Sequence, residues 1–397
     1  MMKIQLKKLS AFLFFIIFAA GCNLFDSRMN VEKLGSDLQS LLDEVVSENK
    51  TIPGAALHVE IPHLDFSWYG ASGFADRANK IKLKPQNPVR IASNTKTFVA
   101  VAILKLCEQG QIDLDSSIRK YLSVESLQII SKDGYTPELM TVRHLLTHTS
   151  GLFNYTESKE FSERYEADVQ HRWTRNEQLK GAMDWGEPYG SPGEIFHYSD
   201  TGYILLGEIL EQVTGKSFGS ALRTLLNYDG LGLTSTWLET LELSPPGILD
   251  RAHQYEGDFD TYAIDPSIDL YGGGGIVSTV GDLARFMQAV FTNCVFSNDE
   301  TINTMLSTIP AKTENDAPPE NPTQGKYCMG IEVAEVNGKS VYINYGYWGT
   351  MAVYVLDLDF SFAATVNQHE AILKPLGSIL SHVIELVDKI EIIETKS

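Results

Sequence analysis

Apolar residues recur along this chain with two different spacings, and the switches between them outline the fold. In residues 31–48, Leu34, Leu38, Leu41, Leu42, Val45 and Val46 share one helical face. Residues 55–61 and 66–74 read instead as two strands, joined by a Pro62-His63 turn. The stretch from Arg90 to Leu104 is apolar almost all round, the pattern of a helix buried at the centre of a domain. After a break at Gln109-Gly110-Gln111, residues 114–122 form a short helix or loop, and residues 141–152 fit a short helix ending near Gly151. Residues 154–184 are polar, aromatic and partly helical. Residues 201–214 repeat apolar positions helically up to Gly215, a natural C-terminal stop. Gly272 to Gly275 reads as a turn, and Thr279 with Asp282 resembles a capping arrangement for a helix over 283–291. Four strands follow, over 329–336, 339–345, 350–358 and 360–367, and a last helix covers 373–390.

Strands therefore lie at both ends with helices between them. The economical arrangement is an α+β fold in which N- and C-terminal strands share one antiparallel sheet flanked by helices, with a mainly helical second region at about 105–300. Residues 310–325 carry four prolines among polar residues and read as a surface loop.

Composition narrows the picture. Hydrophobic content of 43% with 21% charged residues supports a sizeable core. The first 21 residues hold three lysines and no acids, so their removal deepens the formal charge from −19 to −22. So acidic a surface disfavours nucleic acid and anionic lipid as partners. Lys3, Lys7 and Lys8 precede an apolar run over 9–20, too short to span a bilayer stably. It ends in Ala19-Ala20-Gly21-Cys22. That pattern resembles a bacterial lipoprotein signal, with Ala19 where leucine is usual; the plainer alternative is a secretory signal cut nearby. The expected layout is a signal over 1–21, a tether over 22–34 and one domain over 35–390, held at the cell envelope through a lipid on Cys22. Cys107, Cys294 and Cys328 then remain, enough for one disulfide at most.

The buried-helix stretch carries a chemical anomaly. A buried ammonium is costly unless something uses it, and Lys96 lies three residues from Ser93, on the same helical face. A serine beside a buried lysine has the makings of an activated nucleophile. Ser-x-x-Lys also occurs at Ser47/Lys50 and Ser117/Lys120, but only Ser93/Lys96 opens a long apolar helix. There the serine N–H is unpaired and suits half of an oxyanion hole.

Ser93-Asn94-Thr95-Lys96, the run from His144 to Leu152, Pro192-Gly193 before Tyr198-Ser199-Asp200, and Gly274 to Thr279 followed by Asp282-Leu283 occur in that order. Over about residues 35–390 the chain resembles serine hydrolases related to class C β-lactamases and D-alanyl-D-alanine carboxypeptidases. The resemblance implies a β-lactamase/transpeptidase-like fold and acylation of Ser93. It gives Lys96 the local proton network and makes Tyr198 the base or proton relay. A phenol needs a nearby cation to serve as a base near neutral pH, and Lys96 would supply it.

Two departures bear on substrate. Asp200 stands where the family more often has asparagine; a carboxylate there disfavours an anionic substrate, or caps the helix beginning at Thr201. The third motif, usually Lys-Thr-Gly or His-x-Gly, is matched best by Asn344-Tyr345-Gly346. Asn344 and Gly346 would then face substrate, with Gly346 admitting it to the backbone and the Tyr347 N–H as second oxyanion donor. A neutral amide in place of a cation removes a partner for the carboxylate of penicillins and D-alanyl peptides. The expectation is an ester, amide or peptide substrate without that carboxylate, and weak or no β-lactamase activity. The alternative is a catalytically inactive relative that binds cell-wall fragments or a protein partner. His144 and His148 lack the glutamate of the zinc-protease signature, and Gly272 to Gly275 fits no nucleotide-binding pattern, so no metal or cofactor is expected. The partners expected are a small-molecule or peptide substrate and a membrane through the Cys22 lipid; the oligomeric state is open.

Overall fold

The computed structural model describes residues 33–132, 134–308, 312–313, 326–369 and 373–394. The signal over 1–21, Cys22, and most of the 310–325 loop lie outside the described residues.

Eight strands form one antiparallel sheet: β1 (Gly54–Ile61), β2 (Phe66–Asp76), β3 (Ile81–Lys82), β4 (Lys326–Tyr327), β5 (Glu332–Val336), β6 (Lys339–Gly346), β7 (Thr350–Val355) and β8 (Phe360–Thr365). Their order across the sheet is β4-β5-β6-β7-β8-β1-β2-β3. The two ends of the chain meet at β1 and β8, where Ala56 lies opposite Thr365 and Glu60 opposite Ser361. The β1–β2 connection is a single turn at Pro62–Leu64, where proline fits a first helical position.

Each face of the sheet has its own cover. Helix α1 (33–48) and the C-terminal helix (Leu373–Glu394) close one face, where Leu34, Leu38 and Leu42 join Val353, Phe362, Leu380 and Val383 in one core. On the other face the α1-to-C-terminal pattern is replaced by a second core, which runs from the sheet through helix α2 (Thr95–Glu108) into the helical region. Helix α5 (Val280–Phe291), which follows α3 (Val142–Leu146) and α4 (Asp200–Thr214) along the chain, lies against β1 and β8. Its Phe286 stacks on Phe98 of α2 with ring centroids 3.7 Å apart.

The capping expected at Thr279 is present: its side chain accepts from the Asp282 N–H. The Asp282 carboxylate does something else, accepting from Ser235 N and Thr236 Oγ1 and so holding that loop to the helix. Helix α4 ends at Gly215 with φ 66°, as its sequence predicts. Helix α3 stops at Leu146 rather than near Gly151, because His148 (φ 55°) and Gly151 (φ 75°) turn the chain out of helix.

Residues 90–104 are not one helix. Val89–Arg90 pairs with Ile276–Ser278 as a short strand, and Ala92–Asn94 is a 3-10 turn before α2. Apolar residues all round are equally compatible with buried extended chain, which is why the periodicity overran the boundary. The strand expected from 329 begins only at Glu332; before it, Gly330 (φ 75°) brings the chain against α2, where a Cβ would lie 2.8 Å from the Lys96 carbonyl oxygen. Cys107, Cys294 and Cys328 are free thiols.

Candidate active site

The nucleophile turn is strained and clamped. Ala92 has φ 42°, a conformation L-residues avoid, immediately before Ser93. Asn94 holds the turn in place, its Nδ2 donating to the Ile91 carbonyl oxygen (3.0 Å) and to Thr350 Oγ1 (2.9 Å) of β7. Neither the Ser93 N–H nor the Tyr347 N–H donates among the turn and loop hydrogen bonds of the described residues, as oxyanion donors would require.

Lys96 is fully buried, and its ammonium has three partners for its three protons. Nζ lies 3.0 Å from Ser93 Oγ, 2.5 Å from Asp200 Oδ1 and 2.7 Å from the Gly273 carbonyl oxygen. Burial works against the charge, but Asp200 and Tyr198 outweigh it and leave the Lys96 pKa raised. Lys96 therefore rests as an ammonium, hydrogen-bonding the nucleophile.

Tyr198 lies over the same group: Lys96 Nζ is 4.8 Å from its ring centroid, and its phenol feels the charge of Lys96 directly. The expectation that Lys96 would make it a ready base needs correction. Burial raises the Tyr198 pKa, Lys96 lowers it, Asp200 raises it again, and the net direction is upward. The phenol rests protonated because burial disfavours its charged form and the Asp200 carboxylate offsets part of the field that the lysine supplies.

The run from His144 to Leu152 positions this tyrosine. His144 Nδ1 accepts from Thr141 N and completes a capping box on α3. His148 Nδ1 accepts from Ser199 N at 3.1 Å, and its ring packs against that of Tyr198 with centroids 4.3 Å apart and planes tilted by 33°. The Asn154 side chain receives the Asp200 N–H. Burial, reinforced by Lys96, holds the His148 pKa well below its usual value, so the ring is neutral. Among the described residues no group of histidines, cysteines and carboxylates could hold a metal ion.

Asp200 is not a cap. It is the first residue of α4, whose N-cap Ser199 makes no side-chain cap bond, and its carboxylate faces Lys96. Asn344 also differs from its expected role of facing substrate. Its Nδ2 points inward to Ser93 O (3.2 Å), Gly330 O (3.1 Å) and Thr97 Oγ1 (2.9 Å). Two of these acceptors are backbone carbonyls, which fixes the amide orientation. Asn344 ties the nucleophile turn to β6 and offers no N–H to a substrate carboxylate. Gly346 is glycine for the protein's own sake, since a Cβ would lie 2.2 Å from both the Ile91 carbonyl oxygen and Thr350 Oγ1. Tyr347 follows at the surface, stacked 3.6 Å from His369 with its hydroxyl on Glu256.

The four glycines 272–275 belong to the site. Gly272 has φ 132°, and a Cβ there would strike Tyr203 O; Gly273 lends its carbonyl to Lys96. A Cβ on Gly273 would meet Asp200 Oδ1 at 2.9 Å, and one on Gly274 would meet Asp269 Oδ2 at 2.3 Å. Asp269 is a site residue that no motif pointed to. Its only signal in the sequence was proximity to the glycine run.

A buried Ser-x-x-Lys turn wedged between an antiparallel sheet and a helical layer, with a tyrosine over both side chains, defines a β-lactamase/transpeptidase-like protein. The chain belongs to the Beta-lactamase family, whose family model matches residues 42–373. It is similar to Penicillin-binding protein 4* of Bacillus subtilis (strain 168), 28% identical over 268 residues that cover 64% of this chain and 55% of that protein. It is also similar to Protein flp of Staphylococcus aureus (strain MRSA252), 26% identical over 59% of this chain and 43% of that protein. The chain thus spans about half the length of these curated relatives. Among solved structures, a D-stereospecific amidohydrolase from Streptomyces sp. is 25% identical with a TM-score of 0.69, covering 86% of this chain and 98% of that one. The D-amino acid amidase from Ochrobactrum anthropi SV3 shares the fold, with a TM-score of 0.75 at 23% identity, over 90% of this chain and 99% of that one.

Proposed function

We propose that this protein is a serine hydrolase that forms an acyl-enzyme on Ser93 with an ester, amide or peptide lacking the carboxylate of penicillins. The observation that carries the reading is the single hydrogen-bonded group of Ser93 Oγ, Lys96 Nζ and Asp200 Oδ1. Lys96 yields a proton to Asp200 and takes the Ser93 proton as Oγ bonds to the carbonyl carbon. The developing oxyanion faces the N–H groups of Ser93 and Tyr347. As the carbonyl–leaving-group bond breaks, the Tyr198 hydroxyl protonates the departing nitrogen or oxygen and is refilled from Asp200 through Lys96. Water then attacks the ester, its proton entering by the same relay, and Ser93 is released. The substrate half of the reading is supported by the inward turn of Asn344 and by the negative charge of Asp200. The D-stereospecific amidohydrolase to which this chain is similar makes D-amino-acid amides the first compounds to try.

The anchoring at Cys22 on the periplasmic side of a bacterial membrane belongs to the same proposal and is supported by the residue pattern over 1–22. No described helix is long and apolar enough to cross a membrane. A Cys22→Ser chain that still carries lipid by mass spectrometry overturns the anchor.

The deciding experiment treats the mature protein with a fluorophosphonate and maps the adduct. Modification confined to Ser93, with loss of acyl-ester and amide turnover in Ser93→Ala, is expected. An unlabelled Ser93 and no Ser93-dependent turnover would instead favour an inactive binding protein. Rapid hydrolysis of a penicillin or cephalosporin would overturn the substrate half.

A further inference from the structure

Asp269 is a carboxyl with no partner at a site where every neighbouring charge has one. Its loop is held rigidly: Tyr155 Oη donates to Ile268 O, Gln178 Nε2 to Ser267 O and Ile268 O, and Trp173 N to Ser267 Oγ. The two nearby cations are engaged elsewhere. Lys96 gives its three protons to Ser93, Asp200 and Gly273. Arg90 gives Nε to Glu239 at 2.6 Å and its terminal nitrogens to the carbonyl oxygens of Thr261 and Ile264. Among the described residues no group donates a hydrogen bond to Asp269, although buried or half-buried carboxylates normally have donors.

Its position ties it to the chemistry. The Gly273–Gly274 peptide is flanked by two carboxyls, Asp200 against Gly273 and Asp269 against Gly274, and the Gly273 carbonyl is itself a Lys96 acceptor. Any side chain at Gly274 would displace Asp269, so the glycine run makes room for this carboxyl. Burial, with Asp200 and Glu239 adding to it against Arg90 and Lys96, pushes the Asp269 pKa up to about 7. The Tyr155 phenol is the remaining titratable neighbour. A half-buried carboxyl that lacks an internal cation is relieved by a ligand bringing one.

We propose that Asp269 is a specificity-determining residue, its carboxylate holding the positively charged amino group of a substrate whose scissile carbonyl sits on Ser93. Amino-acid amides and peptides with a free amino group next to the cleaved bond fit this arrangement; N-acylated ones present no cation to it. The inference rests on the serine-hydrolase reading above and adds the choice among its substrates.

The test compares alanine p-nitroanilides of both hands, with free and with N-acetylated amino groups, on wild type, Asp269→Asn and Ser93→Ala. Wild type is expected to prefer the free amine, and Asp269→Asn to lower the ratio of kcat/KM for free over acetylated substrate at least tenfold, mainly through KM. Asp269→Glu is expected to recover part of that ratio. A second measurement needs no variant: the wild-type KM for the free-amine substrate should fall between pH 6 and 7.5 as Asp269 ionises, with no matching fall for the acetylated one. A wild-type preference for the acetylated substrate, or a ratio that Asp269→Asn leaves unchanged, overturns the inference while Ser93-dependent turnover keeps the hydrolase reading intact. Absence of Ser93-dependent turnover on either substrate, with Ser93 unlabelled, overturns both.

Discussion

Lys96 Nζ lies 2.5 Å from Asp200 Oδ1, an ion pair between residues 104 positions apart in the chain. The pair changes what the lysine is. With asparagine it would be a buried ammonium facing a dipole; here it faces a full negative charge, with the side chain of Lys96 wholly buried and that of Asp200 17% exposed.

Asp200→Asn removes the partner that holds the Lys96 pKa up. The lysine then loses its proton at lower pH, so the acid limb of the kcat/KM profile moves to lower pH. Breaking one side of a buried pair costs roughly 3 kcal/mol, so the melting temperature falls as well. A pH–rate profile that stays where it was counts against the relay through Asp200.

Tyr198→Phe keeps the ring that packs on His148 and removes the hydroxyl beside Ser93. Loss of a positioned proton donor is expected to lower kcat by about 10²–10⁴ with little change in KM. Steady-state kinetics on an amide and on an activated ester would separate the steps, since the ester's better leaving group needs the phenol less.

Asn344→Ala removes the side-chain donor that ties Ser93 O and Gly330 O to β6, leaving Gly330 O only the Thr97 hydroxyl as a side-chain donor. The expected loss is about 1–3 kcal/mol in chemical denaturation, with kcat reduced because the nucleophile turn loosens. Asn344→Asp should be worse, since an acceptor would face acceptors.

The Glu332 carboxyl has no hydrogen-bond partner among the described residues, and burial pushes its pKa up to about 7. The protonated form is favoured in the folded state. Its contribution is therefore complete below the unfolded pKa of 4.5 and is lost as pH rises through about 7. Glu332→Gln should stabilise the protein by about 2–3 kcal/mol at pH 8 and hardly at all at pH 4, read as melting temperature. Equal shifts at the two pH values would show that the carboxyl is not the cause.

Phe98 and Phe286 join α2 to α5 by face-to-face contact at 3.7 Å, both fully buried. Phe98→Ala is expected to destabilise by about 3–5 kcal/mol through the cavity it leaves. Unfolding by guanidinium chloride measures it.

Much of the architecture was readable from spacing alone. Short apolar runs at both ends and a 3.6 spacing between them located six of the eight sheet strands to within a few residues, whereas β3 and β4, two residues each, are too short to leave a pattern. The helix at 201–214 was legible because its apolar stripe and Gly215 agree. Residues 90–94 were not legible as strand and turn, since a segment buried on all sides has no polar face to reveal its period.

The sequence by itself determined that a serine and a lysine three apart would meet in an apolar setting, because helical or 3-10 geometry holds that spacing locally. It also placed Tyr198 through an ordered set of motifs. Tertiary structure alone decided the rest. Asp200 meets Lys96 from 104 residues away, Asn344 turns inward from 251 residues beyond Ser93, and Asp269 reaches the site through the space that Gly274 leaves. Such contacts depend on how layers pack and not on local spacing, so the charge balance of the site appears only once the chain is folded.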